Sequence, residues 1–338
     1  MDQKIFDYNL PLDKIAYFPR KRGTSKLLVC LKKTGDFFED KFYNIDKYLE
    51  ENSLIILNDT KVYKARVYFS FNDGKRGEIL ILRYNENEML CIGKPAKKIF
   101  KEKKIYFKSN IKSIDIKKEG DNIFSIKINS AVEHLINVAG VLPLPPYIKR
   151  NSQKEDEEWY QTIYAKKIGS IAAPTAGLHF TEELLEKLEK KGIKISYLTL
   201  HIGIGTFKPI RTKNIEEHKM EEEQFEISHN LAYEIKCAKN EKRKVIAVGT
   251  STVRALETVH IIGNGKFSPL SGKTDLFIYP NFKFKVIDGL ITNFHQPNST
   301  PLSLVCAFAG VENIKKWYKE AKKLDFKFLS YGDSMLIL

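Results

Sequence analysis

The sequence predicts an α/β main domain with an inserted small all-β, barrel-like domain. Short strand patterns without helical periodicity run from about residue 65 to 138, whereas strand and helix patterns alternate after about residue 159. Alternating strands and helices are typical of an α/β sheet, and short strands separated by turn residues are typical of a barrel or sandwich. The predicted division is 1–62 for the first part of the α/β domain, 63–150 for the insertion and 151–338 for the remainder.

Composition bounds the class of protein. Of 338 residues, 43% are hydrophobic, which is enough for a sizeable core. The four cysteines form no C-x-x-C pair, so neither a disulfide framework nor a zinc site is indicated. No apolar run approaches the roughly 18 residues of a membrane span, and the N-terminus lacks the apolar core of a signal peptide. We expect a soluble, cytoplasmic protein without membrane association, and a monomer.

The net charge of +14 is a second bulk feature. Lys and Arg that neutralise phosphates release counterions, so a basic chain favours a polyanionic partner such as nucleic acid. A Lys-rich composition throughout the chain explains the same charge without any partner. Charge alone therefore leaves both interpretations open.

The region up to about residue 62 and the insertion both contain predicted strands bounded by turn residues. "SLIILN" predicts a strand before the turn "DTKVYKAR", and "RGEILILRY", "KKIYFK" and "NIFSIKI" predict strands of the insertion. The insertion closes with "GVLPLPPYIKR", where Pro143, Pro145 and Pro146 exclude a helix.

After about residue 159, predicted strands and helices alternate regularly. "EELLEKLEKKG" predicts a helix with Thr181 as N-cap and Gly192 at its end. "IKISYLTL", "RKVIAVG" and "GLITNF" predict strands, and "STVRALETVH" predicts a helix. The next helix opens "NSTPLSLVCAFAG", with Thr300 as cap, Pro301 in the first helical position and Gly310 as terminator. The chain ends in a strand after the turn "SYGD".

Polar groups follow three of the predicted strands. They are His201 after "ISYLTL", Thr250 and Ser251 after "KVIAV", and Asn293 and His295 after "LIT". Ligands of open α/β sheets bind outside the carboxyl ends of the strands, so these groups predict one site. "AAPTAGLHFT" adds His179 just before a helix, where it either joins the site or simply caps and packs.

Two further segments are ambiguous. "HIGIGTF" lacks the helix that a dinucleotide or methyltransferase fingerprint requires, so its glycines indicate close backbone approach in an irregular turn. "VGTSTVRALE" places hydroxyls and free N–H groups at a helix start, which suits a carboxylate or phosphate or a plain cap. Arg254 either clamps an anion or pairs with Glu257.

The acidic segment "EEHKMEEEQFEISH" matches no standard metal-ligand spacing, so we expect a solvated acidic face and no metal. No G-x-S-x-G elbow or reactive cysteine setting is evident. Catalysis by side chains would then be general acid–base catalysis by histidines or carboxylates.

Long motifs run nearly from end to end of the chain, among them "FDYNLPLDKIA", "LNDTKVYKAR", "GSIAAPTAGLHFT", "LTLHIGIGTFKPI", "VGTSTVRALE", "LITNFHQPNSTPLSLVCAFAG" and "SYGDSMLI". In these motifs the chain resembles the S-adenosylmethionine:tRNA ribosyltransferase-isomerase family of queuosine biosynthesis. It departs from the family pattern at Glu221, where a second histidine is usual after "HKM", at Asn281 in "YPNF", and at Lys26.

The resemblance implies an unusual use of S-adenosylmethionine. Its ribosyl part moves to 7-aminomethyl-7-deazaguanine at the wobble position of tRNA and isomerises, giving epoxyqueuosine, adenine and methionine. S-adenosylmethionine is thus the ribosyl-donating co-substrate, tRNA is the partner, and no metal is needed. The sulfonium acidifies the neighbouring C–H, and the attacking amine belongs to the tRNA base.

Residue roles follow as hypotheses. His179, His201 and His295 are candidates for proton transfer, because imidazole titrates near neutrality. Candidates for binding substrate groups fall into three sets: Thr250, Ser251 and Arg254 for the methionine carboxylate or a phosphate; Thr175, Thr206 and Asn293 for adenine or ribose; and Asp59, Arg66 and Asp333 for the base being modified. The basic segment "GKPAKKIFKEKK" contacts the tRNA stem or belongs to a mere scaffold.

Two other classes remain open from the sequence. A methyltransferase would move the methyl group to RNA, and a noncatalytic RNA-binding protein would turn over nothing. The failed glycine fingerprint argues against the first class, and the polar groups at strand ends argue against the second.

Overall fold

The computed structural model describes residues 1–338 except for the side chain of Phe207. The strands are, in chain order, β1 (Lys26–Cys30), β2 (Phe37–Lys41), β3 (Leu54–Asn58), β4 (Thr60–Val62), β5 (Arg66–Ser70), β6 (Arg76–Tyr84), β7 (Glu88–Lys94), β8 (Ser113–Lys118), β9 (Ile123–Ile128), β10 (Gly140–Val141), β11 (Lys167–Ser170), β12 (Lys194–Leu200), β13 (Glu223–Ile227), β14 (Val245–Val248), β15 (Leu270–Thr274), β16 (Gly289–Asn293) and β17 (Ser334–Ile337). The α-helices are α1 (Ala96–Glu102), α2 (Val132–Ala139), α3 (Asp156–Trp159), α4 (Glu182–Lys190), α5 (His229–Asn240), α6 (Thr250–Ile262), α7 (Thr300–Ala309) and α8 (Val311–Lys323).

The chain forms two compact units. The first comprises Met1–Lys61, Pro145–Arg150 and Glu158–Leu338, and the second comprises Val62–Leu144 and Asn151–Glu157. Residues 145–150 thus belong to the first unit and residues 151–157 to the second. The predicted class is confirmed as mixed α/β with several sheets. Within the described part of the chain, every helix is too short or too polar to cross a membrane.

The first unit is built on a nine-stranded sheet in the order β15-β13-β12-β3-β14-β16-β17-β1-β2. The four adjacent strands β12, β3, β14 and β16 are parallel, so their carboxyl ends meet at one edge of the sheet. Strand β17 is antiparallel to β16 and starts beside Asn293, and β1 is parallel to β17. The segments that precede β17 and β1 therefore also reach this carboxyl edge.

Both faces of the central strands are buried, as all five residues of β3 illustrate. Leu54 and Ile56 pack into a cluster with α5, α6, α7 and α8, whereas Ile55 and Leu57 pack into a cluster with α4 and the 3₁₀ helix Phe42–Tyr48. Alternate residues of a strand point to opposite faces, so a continuous apolar run is what a sheet covered by helices requires.

Helix ends follow the predicted signals at α4 and differ at α7. The Thr181 hydroxyl accepts a hydrogen bond from the Leu184 N–H at 3.1 Å, as expected of an N-cap. At α7 the prediction of Thr300 as cap is wrong, because Ser299 Oγ accepts from the Leu302 N–H and Thr300 is already helical. Gly310 ends α7 with φ +89°, a conformation that favours glycine.

The second unit contains an antiparallel sheet in the order β10-β5-β6-β7-β9-β8, together with α1 and α2. It therefore holds helices as well as strands. The predicted strand "KKIYFK" is wrong, because Tyr106 makes only isolated bridges, to Ser70 and to Lys112, within the described residues. A single bridge on each side does not propagate a ladder.

Candidate active site

An open cleft of about 960 Å³, including solvent at its mouth, lies at the carboxyl edge of the parallel strands. Residues that follow β12, β14 and β16 line it, as the sheet topology requires. Seven of the predicted site residues line this cleft: Thr175, Thr206, Thr250, Ser251, Arg254, Asn293 and His295. Five do not: His179, His201, Asp59, Arg66 and Asp333.

The N-terminus of α6 forms part of the cleft wall. Gly249, with φ +88°, turns the chain from β14 directly into α6, and Thr250 and Ser251 begin the helix. Ser251 Oγ accepts from Asn58 Nδ2 at 3.1 Å, so its own proton is available to an acceptor. Free N–H groups and the helix dipole at this end favour an anionic ligand.

Arg254 is held by protein groups and does not project as a free clamp. Its Nη1 forms an ion pair with Glu223, and Nε and Nη2 donate to backbone carbonyls at 2.9 and 3.3 Å. Both side chains are at least 92% buried. The alternative pairing with Glu257 is wrong, because that carboxylate accepts backbone N–H groups of residues 285–287. Burial raises the pKa of Glu257.

Glu223 is a cleft residue that the sequence interpretation missed. It accepts from the Gly203 N–H at 2.8 Å as well as from Arg254, so it ties the glycine turn to α6. The expected solvated acidic face is wrong at this position. Glu223, Phe225 and Ile227 alternate with exposed residues in β13, and this period of two was the signal that identifies a buried carboxylate. Among the described residues, no group of three or more potential ligands is arranged to hold a metal ion.

His295 is the predicted histidine that reaches the cleft. Its Nε2 lies 2.8 Å from Thr292 Oγ1, and its backbone is bound by the hydroxyls of Tyr8 and Tyr318. Burial lowers the pKa of His295 to about 3. The ring is therefore neutral at physiological pH and can exchange hydrogen bonds with a bound substrate.

His179 does not line the cleft, but it contacts Asn293, which does. It belongs to the 3₁₀ helix Thr175–His179, where its ring packs against Phe42. Its Nε2 accepts from Asn293 Nδ2 at 3.1 Å, and its Nδ1 lies 2.8 Å from Ser25 Oγ. Burial, together with the charge of Arg22, lowers the pKa of His179 to about 3. The ring faces a smaller pocket, the side pocket, which Arg20 and Ser330 also line.

His201 and Asp59 also lie at the carboxyl edge but outside the cleft. His201 Nδ1 lies 2.8 Å from Thr60 Oγ1, and Asp59 accepts from the Thr199 hydroxyl at 2.6 Å. Burial lowers the pKa of His201, and the charge of Asp59 opposes this shift. Asp59 lines a separate pocket along β12.

The last two predicted residues have structural partners. Asp333 is fully buried and accepts from the Lys26 and Lys327 N–H groups at 2.8 and 2.7 Å, while Arg20 lies 3.3 Å away. Its carboxylate therefore joins the start of β1 to the turn before β17, and burial raises its pKa. Arg66 belongs to β5 of the second unit, 3.9 Å from Glu78.

Aromatic side chains of the cleft were also missed by sequence reasoning. Tyr160 and Phe277 line the cleft, and so does Tyr147, whose hydroxyl lies 2.5 Å from Ser330 Oγ. Flat rings beside hydroxyl and amide groups suit a ligand with a planar heterocycle and polar substituents. No pattern in the sequence marked these rings, because they lie in loops far apart along the chain.

Comparison with known proteins adds an independent observation. A family model described as queuosine biosynthesis protein matches residues 3–337. The chain is 45% identical over 342 residues to an S-adenosylmethionine:tRNA ribosyltransferase-isomerase of Carboxydothermus hydrogenoformans, and 46% identical over 345 residues to one of Halothermothrix orenii, with all of each chain covered. A crystal structure of S-adenosylmethionine tRNA ribosyltransferase from Thermotoga maritima is similar with a TM-score of 0.58 and 33% identity, over 99% of this chain and all of that one.

The motifs, the sheet topology and these full-length matches agree. The chain belongs to the family of queuosine biosynthesis proteins.

Proposed function

We propose that this protein is an S-adenosylmethionine:tRNA ribosyltransferase-isomerase. It transfers the ribosyl moiety of S-adenosylmethionine to 7-aminomethyl-7-deazaguanine at the tRNA wobble position and isomerises it, forming epoxyqueuosine with release of adenine and methionine. The observation that carries the proposal is the cleft, which combines a helix N-terminus, hydroxyls and aromatic rings in a chain that matches such enzymes over its full length.

S-adenosylmethionine fits the cleft in one orientation. Its carboxylate lies at the N-terminus of α6, where Thr250 and Ser251 supply hydroxyls and N–H groups. Adenine lies against the aromatic rings, with Thr175, Thr206 and Asn293 as partners for its polar edge or for the ribose. Arg254 acts through Glu223 and the turn at Gly203, so its contribution is to the shape of the wall.

His295 is the group best placed to move a proton. The sulfonium acidifies the adjacent C–H, and a neutral imidazole at the cleft can accept that proton. Once the amine of the tRNA base has bonded to the ribosyl group, the C–S bond can break and its electron pair stays on sulfur, so that methionine leaves as a neutral thioether. His179 positions Asn293, and His201 with Asp59 offers polar groups at the same sheet edge for the base being modified. Asp333 orients Arg20 and the turn before β17.

The second unit supplies the remaining part of the proposal. We take it as an inserted, barrel-like β domain, predicted as residues 63–150, because Tyr106 bridges both Ser70, the last residue of β5, and Lys112, the residue before β8. Its basic segment "GKPAKKIFKEKK" contacts the tRNA stem. Replacing Lys97, Lys101 and Lys104 by Gln should weaken tRNA binding most at low salt. Unchanged affinity would leave the unit as a scaffold.

Product analysis tests the function directly. The protein is mixed with S-adenosylmethionine and a tRNA carrying 7-aminomethyl-7-deazaguanine, and nucleosides and small molecules are examined by mass spectrometry. Free adenine, methionine and an epoxycyclopentanediol-bearing nucleoside support ribosyl transfer. S-adenosylhomocysteine with a methylated nucleoside would mean a methyltransferase, and binding without turnover would leave an RNA-binding protein. We also propose that the protein acts in the cytoplasm and as a monomer.

A further inference from the structure

Two short segments of the first unit form a surface that we call the basic rim, residues 17–22 ("YFPRKR") and 147–150 ("YIKR"). They contain five cationic residues and no acidic residue: Arg20, Lys21, Arg22, Lys149 and Arg150. The segments pack on each other, because Arg150 Nε donates to the Tyr17 carbonyl at 3.0 Å. The Arg150 guanidinium also lies 4.4 Å from the centre of the Phe18 ring.

The basic rim borders the cleft. Tyr147 lines the cleft, and its hydroxyl lies 2.5 Å from Ser330 Oγ. Ser330 also lines the side pocket, together with Pro19 and Arg20. The flanking parts of a molecule whose reactive part enters the cleft can therefore reach this surface.

Phe18 is the unusual residue of the basic rim, because its large apolar ring is 51% exposed. Arg22 and Arg20 are held in place, the first by donating to the carbonyls of residues 158, 161 and 178, the second by its ion pair with Asp333. Lys21 and Lys149 are exposed. An exposed ring flanked by cations is the arrangement that binds single-stranded nucleic acid, where bases stack on rings and cations follow phosphates.

We propose that the basic rim binds the unpaired nucleotides that flank the reacting base in the tRNA loop, with one base stacked on Phe18. The inference rests on the proposed function, because that function places the reacting base in a tRNA loop. An acidic peptide would match the charge of the basic rim, but a single-stranded RNA carries a flat base and a phosphate in every nucleotide and so matches both the ring and its flanking cations. Charge and stacking together therefore favour RNA.

Binding and turnover are measured separately for Phe18→Leu, which keeps an apolar side chain and removes the stacking ring. The matched control is Tyr43→Leu, because Tyr43 is 47% exposed and carries Lys187 Nζ at 4.6 Å from its ring, outside the residues that line the cleft. The probes are a fluorescent RNA hairpin whose single-stranded loop carries 7-aminomethyl-7-deazaguanine, and a blunt RNA duplex of the same length.

We expect Phe18→Leu to bind the hairpin about 5- to 140-fold more weakly, the range that loss of one base–ring stack gives. Its affinity for the duplex and its kcat at saturating RNA should stay close to those of the wild type, while KM for RNA rises. Lys21→Gln and Lys149→Gln should each reduce the slope of log affinity against log salt by about 0.7.

Unchanged hairpin affinity of Phe18→Leu, or an equal loss in Tyr43→Leu, would overturn the inference. A wild-type protein that binds neither RNA would overturn it as well. Wild-type protein that binds the hairpin but releases no adenine would contradict the proposed function instead, and the affinities of the variants would still decide the role of the basic rim.

Discussion

Asn293 Nδ2 donates a hydrogen bond to His179 Nε2 across 3.1 Å, so the side chain that lines the cleft is oriented by a histidine that does not. Asn293 Oδ1 in turn accepts from the Thr175 hydroxyl at 3.0 Å. Because Nε2 accepts, the proton of the neutral ring lies on Nδ1 and points to Ser25 Oγ. Ser25, His179, Asn293 and Thr175 thus form one chain of hydrogen bonds that ends at the cleft.

His295→Ala tests the assignment of the proton-transfer group. Loss of the imidazole should lower kcat by about 10²- to 10⁴-fold, the usual contribution of a general acid or base. Adenine release under saturating substrates gives kcat, and thermal unfolding reports whether the fold is kept. The exposed His229→Ala variant is the control and should retain normal turnover. Near-normal turnover of a folded His295→Ala protein would remove this residue from catalysis.

The buried histidines should make the stability depend on pH. His179 and His295 have pKa values lowered to about 3, against a usual value near 6.5 in the unfolded chain. The unfolded state therefore binds more protons between these values, and the free energy of unfolding should fall as the pH drops from about 6.5 towards 3.

His179→Gln isolates one of these two contributions. A glutamine does not titrate, so the loss of stability between pH 7.5 and pH 5.5 should be smaller in this variant than in the wild type. Urea unfolding at both pH values measures the difference. Equal losses in the two proteins would mean that His179 is not buried in its neutral form.

The ion pair of Glu223 and Arg254 should be sensitive to truncation. Glu223→Ala leaves a buried guanidinium without its partner, which costs about 3–5 kcal/mol of unfolding free energy. Glu223→Gln still accepts hydrogen bonds from Arg254 and Gly203 and should lose less. Two residues away, the exposed Glu221 pairs with Lys208, so Glu221→Ala should change stability by less than about 1 kcal/mol. Similar losses in Glu221→Ala and Glu223→Ala would contradict the buried pair.

Gly177 is a packing constraint on the cleft wall. A Cβ at this position would lie 2.0 Å from the Tyr164 hydroxyl oxygen and 2.8 Å from Thr162 Cγ2. We expect Gly177→Ala to lose about 1–3 kcal/mol by overpacking and to bind S-adenosylmethionine more weakly, because Thr175 moves with the same 3₁₀ helix.

For Gly177→Ala, binding calorimetry measures the affinity for S-adenosylmethionine, and chemical unfolding measures the free energy of unfolding. Gly272→Ala is the control, since its nearest heavy atom is 3.6 Å from the new Cβ, an ordinary contact. Adding Tyr164→Phe should recover part of the lost stability, because the atom at 2.0 Å is then gone. A Gly177→Ala protein as stable as the wild type would contradict this prediction, because it would mean that the 3₁₀ helix Thr175–His179 accommodates the new Cβ without loss of unfolding free energy.

The sequence by itself determined the positions that arrive at the carboxyl edge. Continuous apolar runs such as Leu54–Asn58 predict central strands, and the residues after a parallel strand lie at its carboxyl end whatever the packing details. Thr250, Asn293 and His295 follow such strands, and all three line the cleft. The cap Thr181 and the terminator Gly310 are local signals of the same kind.

Only the tertiary structure decided where each side chain at that edge points. His179 turns away from the cleft because Ser25 and Asn293, 154 and 114 residues distant in the chain, satisfy both of its ring nitrogens. Arg254 forms its ion pair with Glu223 and not with Glu257. The Asp333 carboxylate accepts hydrogen bonds from backbone N–H groups of two other segments. A buried polar group must find hydrogen-bond partners, and partners distant in sequence come together only when the chain has folded.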